Sequence, residues 1–202
     1  MGISFYFYLY NLYCVNMPKV IITGTPGSGK STIIAKLSSA YKIINIGTEM
    51  MKYINDKSIT RDQIRSKLTY QEIEEARKKV CETVSKTKGP LIVDTHTSIK
   101  SGKKFIPGFS AQDFGLLKNI KAIIYIDALP VDILLRRIGD RTRAREDETA
   151  EEIEEHRTVN ISLASYYAVQ LGSPLYIIKN KQERLDECRK EVERAISEAL
   201  LG

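Results

Sequence analysis

Short runs of β-branched and other apolar residues alternate with longer amphipathic or charged stretches from Met17 onward. The runs lie at residues 19–23, 42–46, 91–94, 122–127 and 174–179. Each run is nearly continuous in apolar residues, which is typical of strands that are covered on both faces. The alternation therefore predicts β-α units that build a five-stranded parallel sheet with helices on both faces.

The segments between the predicted strands carry signals for helix starts and ends. Thr69 and Glu72 have the spacing of a capping box, which starts a helix. Pro130 suits the first turn of a later helix, and Gly172 suits the residue just after a helix end. Apolar residues recur with helical spacing over 185–199, so we expect a last helix that covers the sheet.

The first 16 residues, MGISFYFYLYNLYCVN, are aromatic, apolar and almost uncharged, and a second methionine, Met17, follows them. Their apolar run is shorter than the roughly 20 residues that cross a bilayer. They also lack the basic region and the small-residue cleavage site of a secretory signal. We expect residues 1–16 to be an extension that arises from a start codon assigned upstream of Met17. The alternatives are an extra packed strand and a contact between subunits.

The overall charge and the cysteines narrow the class of protein. The 31 basic and 25 acidic residues give a net charge of +6, which favours anionic partners without specifying nucleic acid. Cys14, Cys81 and Cys188 are far apart and form no C-x-x-C pair, which argues against a disulfide framework and a zinc site. We therefore expect a reducing, cytoplasmic setting and no membrane association.

The stretch GTPGSGKST, residues 24–32, matches the phosphate-loop pattern G-x-x-x-x-G-K-[ST]. It follows the predicted strand 19–23 directly and leads into an amphipathic segment, so strand, loop and helix come in the required order. The glycines allow backbone N–H groups and a helix N-terminus to surround a phosphate. In such a loop Lys30 reaches the β- and γ-phosphates and Ser31 ligates Mg²⁺.

Asp94 ends the third predicted strand, in the stretch LIVDTH. An acidic residue at a strand end beside a phosphate loop is the natural partner for the water shell of Mg²⁺. The structural alternative is an Asp that only caps a helix or forms a turn. We expect Asp94 and Ser31 to be the protein groups at the metal ion.

Three classes of phosphate-loop protein fit these features: a GTPase, a small kinase, and an ATP-driven assembly factor that acts on RNA–protein complexes. A GTPase would carry N-K-x-D after a late strand, but the stretch 180–183 reads NKQE and ends in Glu183. The chain also has no convincing D-x-x-G segment ahead of it, which argues against a GTPase. Within the kinases a hydroxyl acceptor stays open, with Asp94 as its general base.

The window from Arg136 to Arg145 holds five arginines, and the acidic run EDETAEEIEE follows it. Arg141, Arg143 and Arg145 alternate, so in an extended segment their side chains would lie on one side. Guanidinium groups bind phosphate oxygens in pairs, which suits the charge spread over a transferring phosphoryl group. The pattern predicts a short arginine-rich lid. The alternatives are a surface cluster paired with the acidic run and a nucleic-acid patch.

Six motifs in order, GTPGSGKST, NIGTEM, RDQIR, VDTHTSIKSGKKFIPG, LLRRIGDRTRAR and EHRTVN, resemble those of adenylate kinases of the archaeal type. The resemblance covers residues 17 to about 196 and so implies an adenylate kinase-like domain over 17–202. It implies the α/β, three-layer fold of phosphate-loop NTPases and nucleoside monophosphate kinases. It also implies reversible transfer of the γ-phosphoryl group of Mg·ATP to AMP, no requirement for nucleic acid, and commonly a homotrimer.

The resemblance also assigns residues to this activity by position. The phosphate loop would comprise Gly24, Thr25, Pro26, Gly27, Ser28, Gly29, Lys30, Ser31 and Thr32. The AMP side would include Gly47, Thr48, Arg65 and Lys100, and the metal side Ser31 and Asp94. The catalytic groups would be Lys30, Arg136, Arg143 and Arg145, of which the three arginines would close over the phosphates.

The chain departs from the family pattern at two positions. Ser110 stands where the family often has Pro, and Ile161 stands after the Asn of EHRTVN, where the family often has Arg. Arg157 lies one helical turn earlier and could substitute for that arginine.

The two histidines need not be catalytic. An AMP phosphate oxygen is already anionic at neutral pH, so the acceptor needs positioning and charge neutralisation more than a general base. We expect His96 to be a hydrogen-bonded residue at the strand end. We expect His156 to lie on a helix surface or at a hinge.

Overall fold

The computed structural model describes residues 18–37, 39–60, 63–139 and 148–201, without the side chains of Arg65, Ser66 and Leu201. The predicted extension, residues 1–16, lies outside this part of the chain, as do Arg141, Arg143 and Arg145. The expectations for these residues stay predictions.

All five predicted strands are present and form one parallel sheet. They are β1 (Lys19–Gly24), β2 (Lys42–Asn45), β3 (Leu91–Asp94), β6 (Ile120–Asp127) and β7 (Leu175–Lys179). Their order across the sheet is β2-β3-β1-β6-β7. The central strand β1 is buried along its whole length, as its continuous apolar sequence predicts. Its carboxyl end therefore lies between those of β3 and β6.

A two-stranded antiparallel hairpin lies between β3 and the next helix, and the apolar pattern did not predict it. Its strands are β4 (Ser98–Ser101) and β5 (Lys104–Pro107). The stretch SIKSGKKFIP is short and rich in Lys and Ser, so its alternation is weak. This hairpin carries Lys100 and contacts the later helix Ala150–Leu171.

Helices flank the sheet, and the capping signals at Thr69, Pro130 and Gly172 lie at helix ends as predicted. They are α1 (Lys30–Leu37), α2 (Ile46–Met50), α3 (Ile64–Lys67), α4 (Tyr70–Lys86), α5 (Ala111–Leu116), α6 (Pro130–Gly139), α7 (Ala150–Leu171) and α8 (Leu185–Leu201). Thr69 and Glu72 form the predicted capping box of α4, and Gly172 ends α7 with φ 59°. None of these described helices is long and apolar enough to span a membrane.

The sheet separates two hydrophobic cores. Because successive side chains of a strand point to opposite faces, Ile21 packs with α2, α4, α5 and α7, whereas Val20 and Ile22 pack with α1 and α8. The predicted three-layer α/β fold is therefore confirmed.

Gly108 and Gly115 offer a matched test of the packing beside the hairpin. A Cβ on Gly108 would overlap the carbonyl oxygen of His96, whereas a Cβ on Gly115 would meet nothing within 4 Å. We expect Gly108→Ala to lower the free energy of unfolding by roughly 2 kcal/mol or more, because backbone must move. Gly115→Ala in α5 should raise it by up to about 1 kcal/mol. Urea unfolding measures both, and equal midpoints would contradict the packing.

Candidate active site

The phosphate loop runs from the end of β1 to the start of α1. Gly27 and Gly29 have φ of 96° and 94°, a conformation that other residues rarely adopt. The Ser28 N–H donates to the carbonyl of Thr25 at 2.9 Å and closes the turn. A Cβ on Gly29 would overlap the side-chain nitrogen of Asn180, so the glycine is also needed for close packing.

Two arginines and one asparagine hold the carbonyl groups of this loop. The guanidinium of Arg136 donates to the carbonyl of Ser28 at 3.2 Å, and Asn180 Nδ2 donates to the same oxygen at 2.7 Å. Arg137 Nη2 donates to the carbonyl of Pro26 at 2.6 Å. Because a trans peptide is planar, its N–H points away from its C=O. These contacts therefore direct the N–H groups of the two following glycines to the other side, where a phosphate can accept from them.

Arg136 thus lies at the phosphate loop, and its described hydrogen bonds go to backbone oxygens. Its second nitrogen, Nη2, donates to the carbonyl of Asn180 at 3.0 Å. The predicted closure of Arg136 over the phosphates stays a prediction.

Lys30 and Asp94 form a buried ion pair beside the loop. Asn45 Nδ2 donates to the other oxygen of Asp94 at 2.5 Å. The register explains this meeting, because Asp94 lies opposite Ile22 of β1 on one side and Asn45 of β2 on the other. Ser31, the other predicted metal residue, is exposed in the first turn of α1. The structure therefore brings Lys30 and Asp94 together at the carboxyl ends of three adjacent strands.

Asn45 also connects this ion pair to the predicted AMP side. Its side chain accepts from the Thr48 N–H at 2.9 Å and so caps α2, the helix that carries Gly47 and Thr48. Helix α2 packs against α4. Gly47 and Thr48 of the predicted AMP side thus follow directly from β2, the strand beside the one that carries Asp94.

A cavity of about 230 Å³ lies between the start of α4 and the chain after the hairpin. Its lining residues are Leu68, Tyr70, Ile73, Arg77, Ile106, Pro107, Phe109 and Ser110. Arg77 is buried and donates through Nε to Asp113 at 2.5 Å, and within the described residues its Nη2 has no hydrogen-bond partner. Helix α3, which carries Arg65, ends just before Leu68. The side chain of Arg65 itself lies outside the described residues.

Lys100 of the hairpin is paired with two carboxylates. Its Nζ lies 3.1 Å from Glu148 and 3.2 Å from Glu152. Desolvation lowers the pKa of Lys100, but the hydrogen bonds with these carboxylates outweigh it and raise the pKa above its ordinary value. Glu148 also forms an ion pair with Arg137. One carboxylate, next to the predicted lid, therefore joins Lys100 of the predicted AMP side to Arg137 of α6, which contacts the phosphate loop.

Comparison with known proteins identifies the family. A family profile described as "AAA domain" matches residues 23–154. The adenylate kinase of Methanococcus aeolicus is 36% identical over 186 residues, which cover 86% of this chain and 94% of that protein. The chain belongs to the adenylate kinase family. The adenylate kinase of Methanocaldococcus jannaschii is also 36% identical, over 86% of this chain and 95% of its own length.

The solved structure of a shikimate kinase from Bacteroides thetaiotaomicron has a TM-score of 0.61 and 10% identity, over 90% of this chain and 99% of that chain. This likeness shows the fold alone. Together with the relatives it confirms the expected α/β kinase fold, and the relatives confirm the expected adenylate kinase activity, that of a nucleoside monophosphate kinase.

Arg157 of this adenylate kinase is fixed at the end of β6. Its Nε and Nη2 donate to the two oxygens of Asp127 at 2.6 and 2.8 Å, and Nη1 bonds Glu154 at 2.9 Å. The hydrogen bonds with Asp127 raise the pKa of Arg157 above its ordinary value. A substitution of Arg157 for the family arginine at the position of Ile161 stays a prediction.

The expectation that His156 lies on a helix surface was wrong, and the alternative of a hinge stays a prediction. The side chain is 3% exposed, its Nε2 lies 3.2 Å from Ser98 Oγ, and its ring lies 5.4 Å from that of Phe105. The reason is the hairpin, which covers this part of α7 and which the sequence pattern did not predict. Desolvation lowers the pKa of His156, so the kinase holds it neutral at physiological pH.

The sequence analysis also missed several polar residues of the site, among them Asn160, whose side chain contacts Thr25 of the phosphate loop. The others are Asn45, Arg137, Glu148 and Asn180. Asn45 had a local signal, because Asn before a helix is a preferred N-cap. The others contact residues far away in sequence, and their roles depend on tertiary structure.

We predict that His156 lowers the free energy of unfolding of this kinase as the pH becomes acidic. The unfolded chain binds the proton near the ordinary histidine pKa of about 6.5. The folded protein binds it only at lower pH, so stability falls as the pH drops below that value. His156→Gln, which cannot take up a proton, should reduce this slope between about pH 7.5 and pH 5. Urea midpoints across this range measure the effect.

The matched control is His96→Gln, which removes the other histidine and keeps the contact between His156 and Ser98. An unchanged slope in His156→Gln would contradict the assignment.

Proposed function

We propose that this adenylate kinase transfers the γ-phosphoryl group of Mg²⁺-bound ATP reversibly to AMP, giving two ADP. The observation that supports this assignment best is the junction of Lys30, Asp94 and Asn45. It joins the phosphate loop of the donor directly to α2 on the predicted acceptor side.

On the donor side, the loop N–H groups and Lys30 would hold the β- and γ-phosphates. Ser31 and Asp94 would hold Mg²⁺, which prefers oxygen ligands and keeps several water and phosphate oxygens. One hydroxyl and one carboxylate fit such an ion. Among the described residues no group of three or more His, Cys, Asp or Glu side chains could hold a metal, which fits an ion that arrives with its nucleotide. When bound, the ion would offset phosphate charge.

On the acceptor side, the cavity beside α4 would take the base of AMP. Its lining is mostly apolar, and the buried guanidinium of Arg77 supplies one donor, Nη2, without a partner in the described residues. Pockets that combine an apolar wall with a few polar groups bind flat, partly polar ligands. Arg65 and Lys100 would hold the AMP phosphate nearby, together with Gly47 and Thr48.

The chemistry would need positioning and charge neutralisation more than a proton acceptor, because the attacking phosphate oxygen is already anionic. His156 is buried and bonded to Ser98, which fits this absence of a general base. Arg143 and Arg145 would close as a lid over the transferring group, whose charge spreads over its oxygens. A homotrimer, a cytoplasmic location and independence from nucleic acid are further proposals.

A coupled assay of ADP formation, with and without AMP, tests the reaction. The parent should form ADP only when AMP is present, and Lys30→Ala should lower turnover by about 10² or more, as for loss of one preorganised charge. Because Lys30 is paired with the buried Asp94, the variant is also expected to lose stability. The control is Lys30→Ala combined with Asp94→Asn, which should recover stability but not turnover.

Hydrolysis that RNA alone stimulates would identify an assembly factor instead. Transfer to a hydroxyl compound in place of AMP would identify another kind of kinase.

The acceptor cavity can be tested with Ile73→Trp, which would fill it. We expect the KM for AMP to rise about 10-fold or more, because a bulky side chain excludes the base, and the KM for ATP to stay within about threefold. Steady-state kinetics with each nucleotide varied in turn measure this split. The control is Ile177→Trp on strand β7, where the side chain is 46% exposed and far from the cavity in the sheet. A similar rise of both KM values in Ile73→Trp would contradict the assignment.

A further inference from the structure

Asn160 of α7 bonds to both sides of the active site through one buried amide. It is 0% exposed. Its Nδ2 donates to Thr25 Oγ1 at 3.3 Å. Its Oδ1 accepts from Thr97 Oγ1 at 2.7 Å, from the Ser98 N–H at 3.0 Å and from Ser98 Oγ at 2.6 Å.

These partners determine the orientation of the amide. The Ser98 backbone N–H can only donate, so the amide oxygen must face it and the NH₂ group must face Thr25. Thr25 Oγ1 also lies 2.7 Å from the hydroxyl of Tyr125. Burial raises the pKa of Tyr125 to about 12, so the phenol stays neutral. A neutral, well-partnered network of this kind has one preferred geometry.

Both ends of the network lie next to groups that the reaction would use. Thr25 is the second residue of the phosphate loop, and its carbonyl accepts the hydrogen bond that closes the loop. Thr97 and Ser98 lie between Asp94 and Lys100 in the chain. A shift of Asn160 would therefore move the phosphate loop relative to β4, the strand that carries Lys100.

We propose that Asn160 is a positioning residue that fixes the spacing between the phosphate loop and the acceptor side. This inference rests on the proposed reaction. The rate of transfer depends on such spacing, because a misplacement of about 1 Å can cost about 10²-fold. Asn160 acts through Thr25 on one side and through Thr97 and Ser98 on the other.

The variant Asn160→Ala tests this role by steady-state kinetics. We expect kcat to fall about 10- to 100-fold, because the reacting groups lose their alignment. The KM values for ATP and AMP should each stay within about threefold, because the groups that hold the nucleotides are still present.

A double-mutant cycle with Thr25→Val tests the route of the effect. Thr25→Val keeps the loop backbone and removes the hydroxyl that accepts from Asn160. If Asn160 acts through this hydroxyl, the double variant should lose little more kcat than the stronger single variant. Losses that simply multiply would overturn the proposal, as would a normal kcat in a folded Asn160→Ala protein.

Two controls separate positioning from general destabilisation and from failure of the proposed reaction. Ile196→Ala creates a cavity between α8 and the sheet, on the face away from α7. It should therefore lower the melting temperature while kcat at low temperature stays near that of the parent. If Asn160→Ala does not fold, Thr25→Val alone decides, and a normal kcat in that variant overturns the inference. A parent protein that forms no ADP from ATP and AMP would instead refute the proposed function.

Discussion

The buried ion pair between Lys30 and Asp94 is the interaction on which the arrangement of the site depends. A charge buried without a partner costs several kcal/mol, so the two groups must be held together by the fold. The parallel sheet does this by placing the carboxyl ends of β1 and β3 side by side. Asn45 on the next strand completes the coordination of Asp94 and caps α2 with the same side chain. Donor and acceptor sides are thus set by strand order.

The strands and most helix ends could be predicted from the sequence because their signals are local. Five continuous apolar runs became the five parallel strands, and the capping residues Thr69 and Gly172 lie where expected. The hairpin could not be predicted in this way, since its stretch SIKSGKKFIP is short and largely polar. Because the hairpin was not predicted, His156 was expected on a helix surface. Burial of a residue by a distant segment does not change the pattern of apolar residues in its own helix, so that pattern could not indicate it.

The candidate site divides in the same way. Lys30 and Asp94 could be predicted because each belongs to a motif whose order along the chain carries its meaning. Asn180 and Asn160 contact phosphate-loop residues that are 152 and 135 positions away in the sequence. The residues next to either asparagine give no signal for these contacts. The family resemblance assigned Arg136 to the phosphates, whereas only the fold shows that its described hydrogen bonds go to backbone carbonyls.

The charges around the site also bear on how an adenylate kinase can favour the transition state. Lys30 is paired with Asp94, Lys100 with Glu148 and Glu152, and Arg137 with Glu148. Under the proposed function, the phosphate groups of the nucleotides would compete with carboxylates for these cations, which would reduce the net gain from simple binding. Only interactions that are stronger in the transition state than in the ground state accelerate transfer. Pairing the cations with carboxylates would therefore limit uniform binding, and the rate would depend on contacts that form only when the charge redistributes over the oxygens of the transferring group.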